Sequence, residues 1–178
     1  MTTINEWPAQ TTGDLYPDIN MLAQLLHACV WGGAGVSFVT PFSLDEARAF
    51  WFETVLPVVR TGKRRVLVSR TGNRIVGSVQ LDLDTPPNQP HRAGVTKLLV
   101  HPDARRQGIG RRLMLALEEM ARSERRTLLT LDTVTGSAAE VLYRSLGFEV
   151  VGVIPDYARA ALSTDMEGTT VMYKRLTG

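Results

Sequence analysis

From residue 98 to residue 112 the chain reads Leu-Leu-Val-His-Pro-Asp-Ala-Arg-Arg-Gln-Gly-Ile-Gly-Arg-Arg. An apolar run, Leu98, Leu99 and Val100, crosses a turn at Pro102 and meets Arg105, Arg106, Gln107, Gly108, Ile109 and Gly110. Beyond the turn, Ile109, Leu113, Ala116, Leu117, Met120 and Ala121 recur at helical spacing. The order is strand, basic glycine-rich turn, helix start. Glycine lets backbone approach a ligand closely, and the first N–H groups of a helix have no partner inside it. With the helix dipole behind them and Arg105, Arg106 and Arg111 around them, those groups make a site for a pyrophosphate. The turn lacks the three glycines of a dinucleotide fingerprint and the Gly-Lys-Ser/Thr ending of a P-loop.

A second stretch carries reactive side chains. Thr127 to Asp132 has the β-branched and apolar content of a short strand, which Asp132 ends. Ser137-Ala138-Ala139-Glu140 is a capping box, so Glu140 is explained by helix initiation. The helix it opens carries Ala139, Leu142, Tyr143 and Leu146 on one face and stops at Gly147.

The other elements must hold these two stretches together. Residues 1–17 read as irregular, punctuated by Pro8, Gly13 and Pro17. From Asp18 a helical stripe, Ile19, Leu22, Ala23, Leu26 and Val30, ends at Trp31-Gly32-Gly33-Ala34-Gly35. That segment, with Phe38 beside it, reads equally as a connector and as a lid or pocket wall for a small substrate. Ser43-Leu44-Asp45-Glu46 is another capping box, and its helix, with Ala47, Trp51, Val55 and Val58 on one side, is expected to end near Leu56 to Arg60 because of Pro57. Val66–Val68 and Ile75–Leu83 read as a hairpin around Thr71-Gly72-Asn73. In its second strand Val79, Leu81 and Leu83 alternate with Ser78, Gln80 and Asp82, which predicts one face in the core. Thr85 to Pro90 is a proline-rich loop, and Ala93–Val100, Phe148–Ile154 and Thr170–Lys174 complete the strands. With no internal repeat or boundary, 1–178 is expected to be a single domain.

Composition narrows the function classes. Hydrophobic residues at 44% and charged residues at 21% suit a globular chain able to bury a core. No apolar stretch approaches the roughly 18–20 residues of a membrane span, and no secretory signal is visible, so a cytoplasmic location is expected without membrane partners. The single cysteine, Cys29, reads as a buried structural thiol, and three scattered histidines do not suggest a metal site. Net charge is +2, and the basic clusters at Arg60–Arg74 and Arg105–Arg112 carry no aromatic platforms, so no nucleic-acid partner is expected.

Arg105-x-x-Gly108-x-Gly110 and Ala139-x-x-x-Tyr143-x-x-x-Gly147-Phe148 together resemble the two motifs of the GCN5-related N-acetyltransferase (GNAT) family. They occur in the family's order, separated by one helix and one strand. The resemblance covers about residues 65–175. With residues 15–60 as substrate-side helices, the layout is most similar to the bacterial tabtoxin-resistance acetyltransferases, through Trp31-Gly32-Gly33-Ala34, Leu131-Asp132-Thr133 and Gly136-Ser137. It implies an α/β fold, a mixed and mostly antiparallel sheet flanked by helices, with acetyl-CoA as co-substrate and no metal. It further implies that residues 105–111 hold the pyrophosphate and that Leu98 to Val100 face the thioester. Ser137 and Ala138 would meet the pantetheine arm, and Tyr143 would be the acid that protonates the leaving thiolate. Two departures stand out. Many family members have Asn where Gly136 stands, and several carry a glutamate base where Gly94 stands.

The chemistry asks for little more. An amine with a pKa near 10.4 is almost wholly protonated at neutral pH, so a base helps. Asp132 is the first candidate, as base or as binder of the substrate ammonium; a strand-end carboxylate making a turn hydrogen bond is the alternative. Strand N–H groups around Leu98 to Val100 would face the thioester carbonyl if a bulge splays the strand. The expected acceptor is a small-molecule amine, with an amino-acid-like toxin or antibiotic as a candidate, walled by Trp31, Gly32, Gly33 and Phe38. Acetylation of a protein or peptide amine and non-catalytic acyl-CoA sensing are the alternatives, and a homodimer would suit the fold.

Overall fold

The computed structural model describes residues 2–8 and 13–176. Three segments follow one another on the N-terminal side. They are strand β1 (Thr2–Trp7), helix α1 (Tyr16–Trp31) and a long helical stretch made of α2 (Leu44–Ala49), a π-helical turn (Phe50–Val55) and α3 (Leu56–Arg60). Strands β2 (Arg64–Thr71), β3 (Arg74–Asp82) and β4 (Arg92–Val100) then lead into α4 (Ile109–Ser123). Strand β5 (Leu128–Val134), helix α5 (Ala138–Ser145) and strands β6 (Glu149–Arg159) and β7 (Met166–Arg175) close the chain. Among the described residues the strands form one seven-stranded sheet in the order β1-β2-β3-β4-β5-β7-β6. Only β4 and β5 run parallel, so the sheet is mixed and mostly antiparallel, as expected.

Two cores lie on opposite faces of this sheet. On one, Ile109, Leu113, Leu117 and Ala121 of α4 pack against Val79 and Leu81 of β3 and Leu129 and Leu131 of β5. Burying a leucine-sized side chain stabilises by about 1.5–3 kcal/mol, so this stripe fixes α4 on the sheet. On the other, α1 and the π-helical turn cover β1 to β3 through Leu22, Leu26, Trp51, Val66 and Val68. Pro57 interrupts neither helix nor packing. It lies within the continuous helical stretch, directly after the π-helical turn, where it lacks an N–H to donate, yet the helix runs on to Arg60.

Two expectations need correction. Residues 2–7, read as irregular, pair antiparallel with β2 from Thr2↔Thr71 to Trp7↔Val66. Trp7 is fully buried there, with its ring edge-on to Trp51 at 5.9 Å. The remainder of that N-terminal segment, residues 9–12, lies outside the described residues. The second correction concerns β3, where Ser78 and Gln80 are as buried as Val79 and Leu81. The strand is central and covered by helices on both faces, so alternation did not mark a solvent side. The side-chain polar atoms of Ser78 and Gln80 have no hydrogen-bond partner among the described residues.

Candidate active site

Strands β4 and β5 are hydrogen-bonded only at their beginnings, Arg92↔Leu128 to Gly94↔Thr130. Beyond Gly94 they separate. A bulge in β4 adds to this, because Gln80 pairs with Thr96 and Ser78 with Leu99, leaving Lys97 and Leu98 opposite Val79. Lys97 adopts a left-handed φ of 52° at that bulge. The edge of β4 from Leu98 to Val100 therefore faces the gap instead of β5.

At the end of the gap on the α4 side lies the basic turn. Gly108 is the N-cap of α4 with φ 73°, a left-handed conformation that glycine adopts without strain. From Arg106 to Arg111 no backbone N–H donates to a backbone or side-chain acceptor among the described residues. Arg105 folds back, its Nε donating to the Val100 carbonyl at 3.3 Å, and Arg112 donates to the Gln107 carbonyl at 3.1 Å. Arg111 reaches Ser145 of α5 at 2.7 Å. A row of unpaired amides at a helix start, clamped by arginines, fits the pyrophosphate of acetyl-CoA. Close packing holds this helix start in place. A methyl group on Gly77 would lie 3.0 Å from both Ile109 Cγ2 and Leu113 Cδ1.

Helix α5 brings Tyr143 to the same face. Its phenol is buried, its ring is 5.7 Å from Phe148, and burial together with the nearby Asp132 charge pushes its pKa far above the usual tyrosine value. The phenol therefore stays protonated across the physiological range. Ser137 caps α5 by accepting from the Glu140 amide at 3.2 Å, and its hydroxyl lies 3.3 Å from that of Thr133. The carboxylate of buried Glu140 reaches one residue further back than a capping box requires. It accepts from the Gly136 amide at 2.7 Å, from Thr170 at 3.1 Å and from Arg144. These contacts, the Gly136 N–H first and Arg144 next, hold its pKa below the usual glutamate value.

The opposite face of the gap is polar. Asp132 is exposed, and its Oδ2 accepts from Thr169 at 3.2 Å. Asp82, beside Gly94, is already engaged by Arg64 at 3.2 Å and by the Asp84 amide at 3.1 Å. Lys97 points to the α1–α2 loop, donating to Ser37 at 3.0 Å with its ammonium 5.7 Å above the Phe38 ring. Burial, with Arg64 nearby, holds the Lys97 pKa below the usual lysine value against the opposing pull of Asp132. Of the four residues expected to wall the acceptor, the structure brings Phe38 to this cluster. Trp31 donates its indole N–H to the Phe42 carbonyl at 2.9 Å. Gly32 and Gly33 lie against Pro102 and Leu162, so they tie the loop to its neighbours and do not reach Lys97. Cys29 is buried, its thiol 3.4 Å from the Val100 carbonyl.

With this geometry in view, similarity to known proteins settles the family. Residues 62–150 match the model of the acetyltransferase (GNAT) domain. An N-acetyltransferase from the hisH–hisA intergenic region of Azospirillum brasilense, itself uncharacterised, is 33% identical over 132 residues, 73% of this chain and 74% of the relative. The chain belongs to the GNAT acetyltransferase family. Another relative, the L-methionine sulfoximine/L-methionine sulfone acetyltransferase of Pseudomonas aeruginosa, is 31% identical over 118 residues, 65% of this chain and 66% of that one. The Salmonella typhimurium protein yncA, solved with its cofactor acetyl-CoA, shares the fold with a TM-score of 0.76 at 20% identity, covering 99% of this chain and 94% of that one. As a GNAT member the protein is an acetyl-CoA-dependent N-acetyltransferase.

Sequence reasoning missed Lys97 and Arg64. A signal for Lys97 was present. Val95 and Leu99 are buried core positions of one strand. Strict alternation would put the lysine between them on their face, so a charge there marks a break in register. Arg64 had no such signal, since its place beside the cleft depends on cross-strand pairing with Asp82. Among the described residues no three His, Cys, Asp or Glu side chains are grouped to hold a metal ion, and no helix is long and apolar enough to cross a membrane.

Proposed function

We propose that this GNAT enzyme acetylates the amine of a small, amino-acid-like molecule by direct attack within a ternary complex. The observation that carries the reading is the division of labour across the β4–β5 gap. Free amides and Tyr143 lie on one face, while Asp132, Lys97 and Phe38 lie on the other. When bound, acetyl-CoA supplies an activated acetyl group as a thioester. The amides of residues 106–111, with Arg106 and Arg111, hold its pyrophosphate, and Ser137 and Ala138 at the start of α5 flank the pantetheine arm. Amides of β4 from Leu98 to Val100 stabilise charge developing on the thioester oxygen. Asp132 binds the acceptor ammonium and takes its proton, directly or through water. Tyr143, kept protonated by its surroundings, donates to the departing thiolate.

The α1–α2 loop favours a small acceptor over a peptide. Both the amide and the hydroxyl of Thr40 donate to the Ala161 carbonyl, at 2.8 and 3.0 Å, and Gly35 packs against Val134 so closely that a methyl group there would overlap it. The loop is thus tied to both β5 and the β6–β7 connection, and a loop held this way walls the cleft on that side. The Pseudomonas relative, named for two amino-acid analogues, supports the same class.

Release of free thiol from acetyl-CoA, followed over a panel of amino acids, amino-acid toxins, simple amines and peptides, tests the proposal. The wild type is expected to respond to amino-acid-like amines. Tyr143→Phe is expected to lower turnover by about a hundredfold with unchanged acetyl-CoA affinity. Equal rates would remove the tyrosine from the mechanism. Tight acetyl-CoA binding with no release on any amine would favour acyl-CoA sensing.

A further inference from the structure

We infer that Lys97 anchors the carboxylate of the acceptor, so that the amine acetylated belongs to a free α-amino acid or an analogue with the acid one carbon away. This rests on the cleft above β4 and β5 being the acceptor site. Three half-buried cations elsewhere on the sheet meet a carboxylate, and a fourth, Arg92, is satisfied by two neutral acceptors, Gln89 and Thr130. Arg64 pairs with Asp82 at 3.2 Å, Arg70 with Asp18 at 2.6 Å and Lys174 with Glu118 at 2.6 Å. Lys97 forms no ion pair with any described residue; its polar contact is the neutral Ser37 hydroxyl. A partly desolvated ammonium without a counter-ion, with Arg64 nearby, is costly and attracts an anion.

The neighbouring charge decides what kind of anion. Asp132 lies across the gap, close enough to act on Lys97 yet not paired with it. One fixed positive and one fixed negative group therefore face the same cleft at a separation that keeps them apart. A zwitterion complements that pattern, its carboxylate on Lys97 and its ammonium on Asp132. The amine is then delivered beside the thioester-facing edge of β4. The backbone supports the arrangement. A left-handed φ of 52° is uncommon for a residue with a side chain, and the bulge that imposes it turns Lys97 toward the loop.

The test uses acid and ester pairs: L-methionine sulfone, L-methionine sulfoximine and natural L-amino acids, each beside its methyl ester. The wild type is expected to prefer the acids. Lys97→Met keeps the alkyl stem and removes the charge, and should lower the acid-to-ester ratio of kcat/KM by about 10- to 100-fold, mainly through KM. Lys97→Arg should restore part of the preference. If Lys97 only pins the α1–α2 loop, or acts as the base, acid and ester will lose activity equally, and the anchor is overturned. A wild type that acetylates esters and simple amines without preferring acids overturns the anchor and leaves the acetyltransferase reading standing. A wild type that binds acetyl-CoA and acetylates no amine at all overturns both.

Discussion

Replacing Gly77 by alanine probes how the sheet holds the cofactor turn. The added methyl would sit 3.0 Å from Ile109 Cγ2, 3.0 Å from Leu113 Cδ1 and 3.1 Å from the Leu99 carbonyl oxygen. Carbon atoms in a relaxed core stand about 3.5–4.0 Å apart, so something must move. The Leu99 oxygen is strand backbone, which leaves α4 to give way. Overpacking of this kind costs about 1–3 kcal/mol. Gly94→Ala is the matched control, in the neighbouring strand, where the new methyl meets only Asp82 Cβ at an ordinary 3.6 Å. Both variants gain the same benefit from a less flexible unfolded chain, so their difference isolates the collision. For a chain of this size about 1 kcal/mol moves Tm by about 2–4 °C, so Gly77→Ala should melt about 2–12 °C below Gly94→Ala. Because Ile109 opens α4, the displacement also shifts the amides of the turn, and calorimetry should find weaker acetyl-CoA binding in Gly77→Ala. Equal melting temperatures for the two variants would refute the reasoning.

Other outcomes follow from the same geometry. If Asp132 takes the acceptor's proton, Asp132→Asn should lower kcat/KM strongly while acetyl-CoA affinity stays unchanged. An unchanged kcat/KM would assign that proton to another group. Glu140, held below its ordinary pKa by the Gly136 N–H and Arg144, contributes stability above the unfolded carboxylate value that is lost as pH falls through the lower folded one. The Tm gap between wild type and Glu140→Gln should therefore narrow as the pH is taken from about 5 toward 3, and a constant gap in scanning calorimetry would contradict this.

Much of the enzyme is legible locally. The glycine turn, the Ser43 capping box, the Ser137 N-cap, the stop at Gly147 and the apolar stripe of α4 depend on residues within a few positions of one another. Short-range hydrogen bonding, dipoles and helical period encode them in the sequence itself. The pairing of the turn motif with the Tyr143 motif was enough to anticipate the sheet, the cofactor and the transferase class. Only the tertiary structure decided the rest. β1 exists because β2 offers an open edge to residues that carry no turn signal against pairing. Ser78 and Gln80 are buried because two helix layers, distant in sequence, cover both faces of β3. Lys97 meets Ser37 across 60 positions of chain, and it faces Asp132 only because two parallel strands separate after Gly94. The charges proposed to select the acceptor are placed by such long-range pairings, which local pattern does not carry.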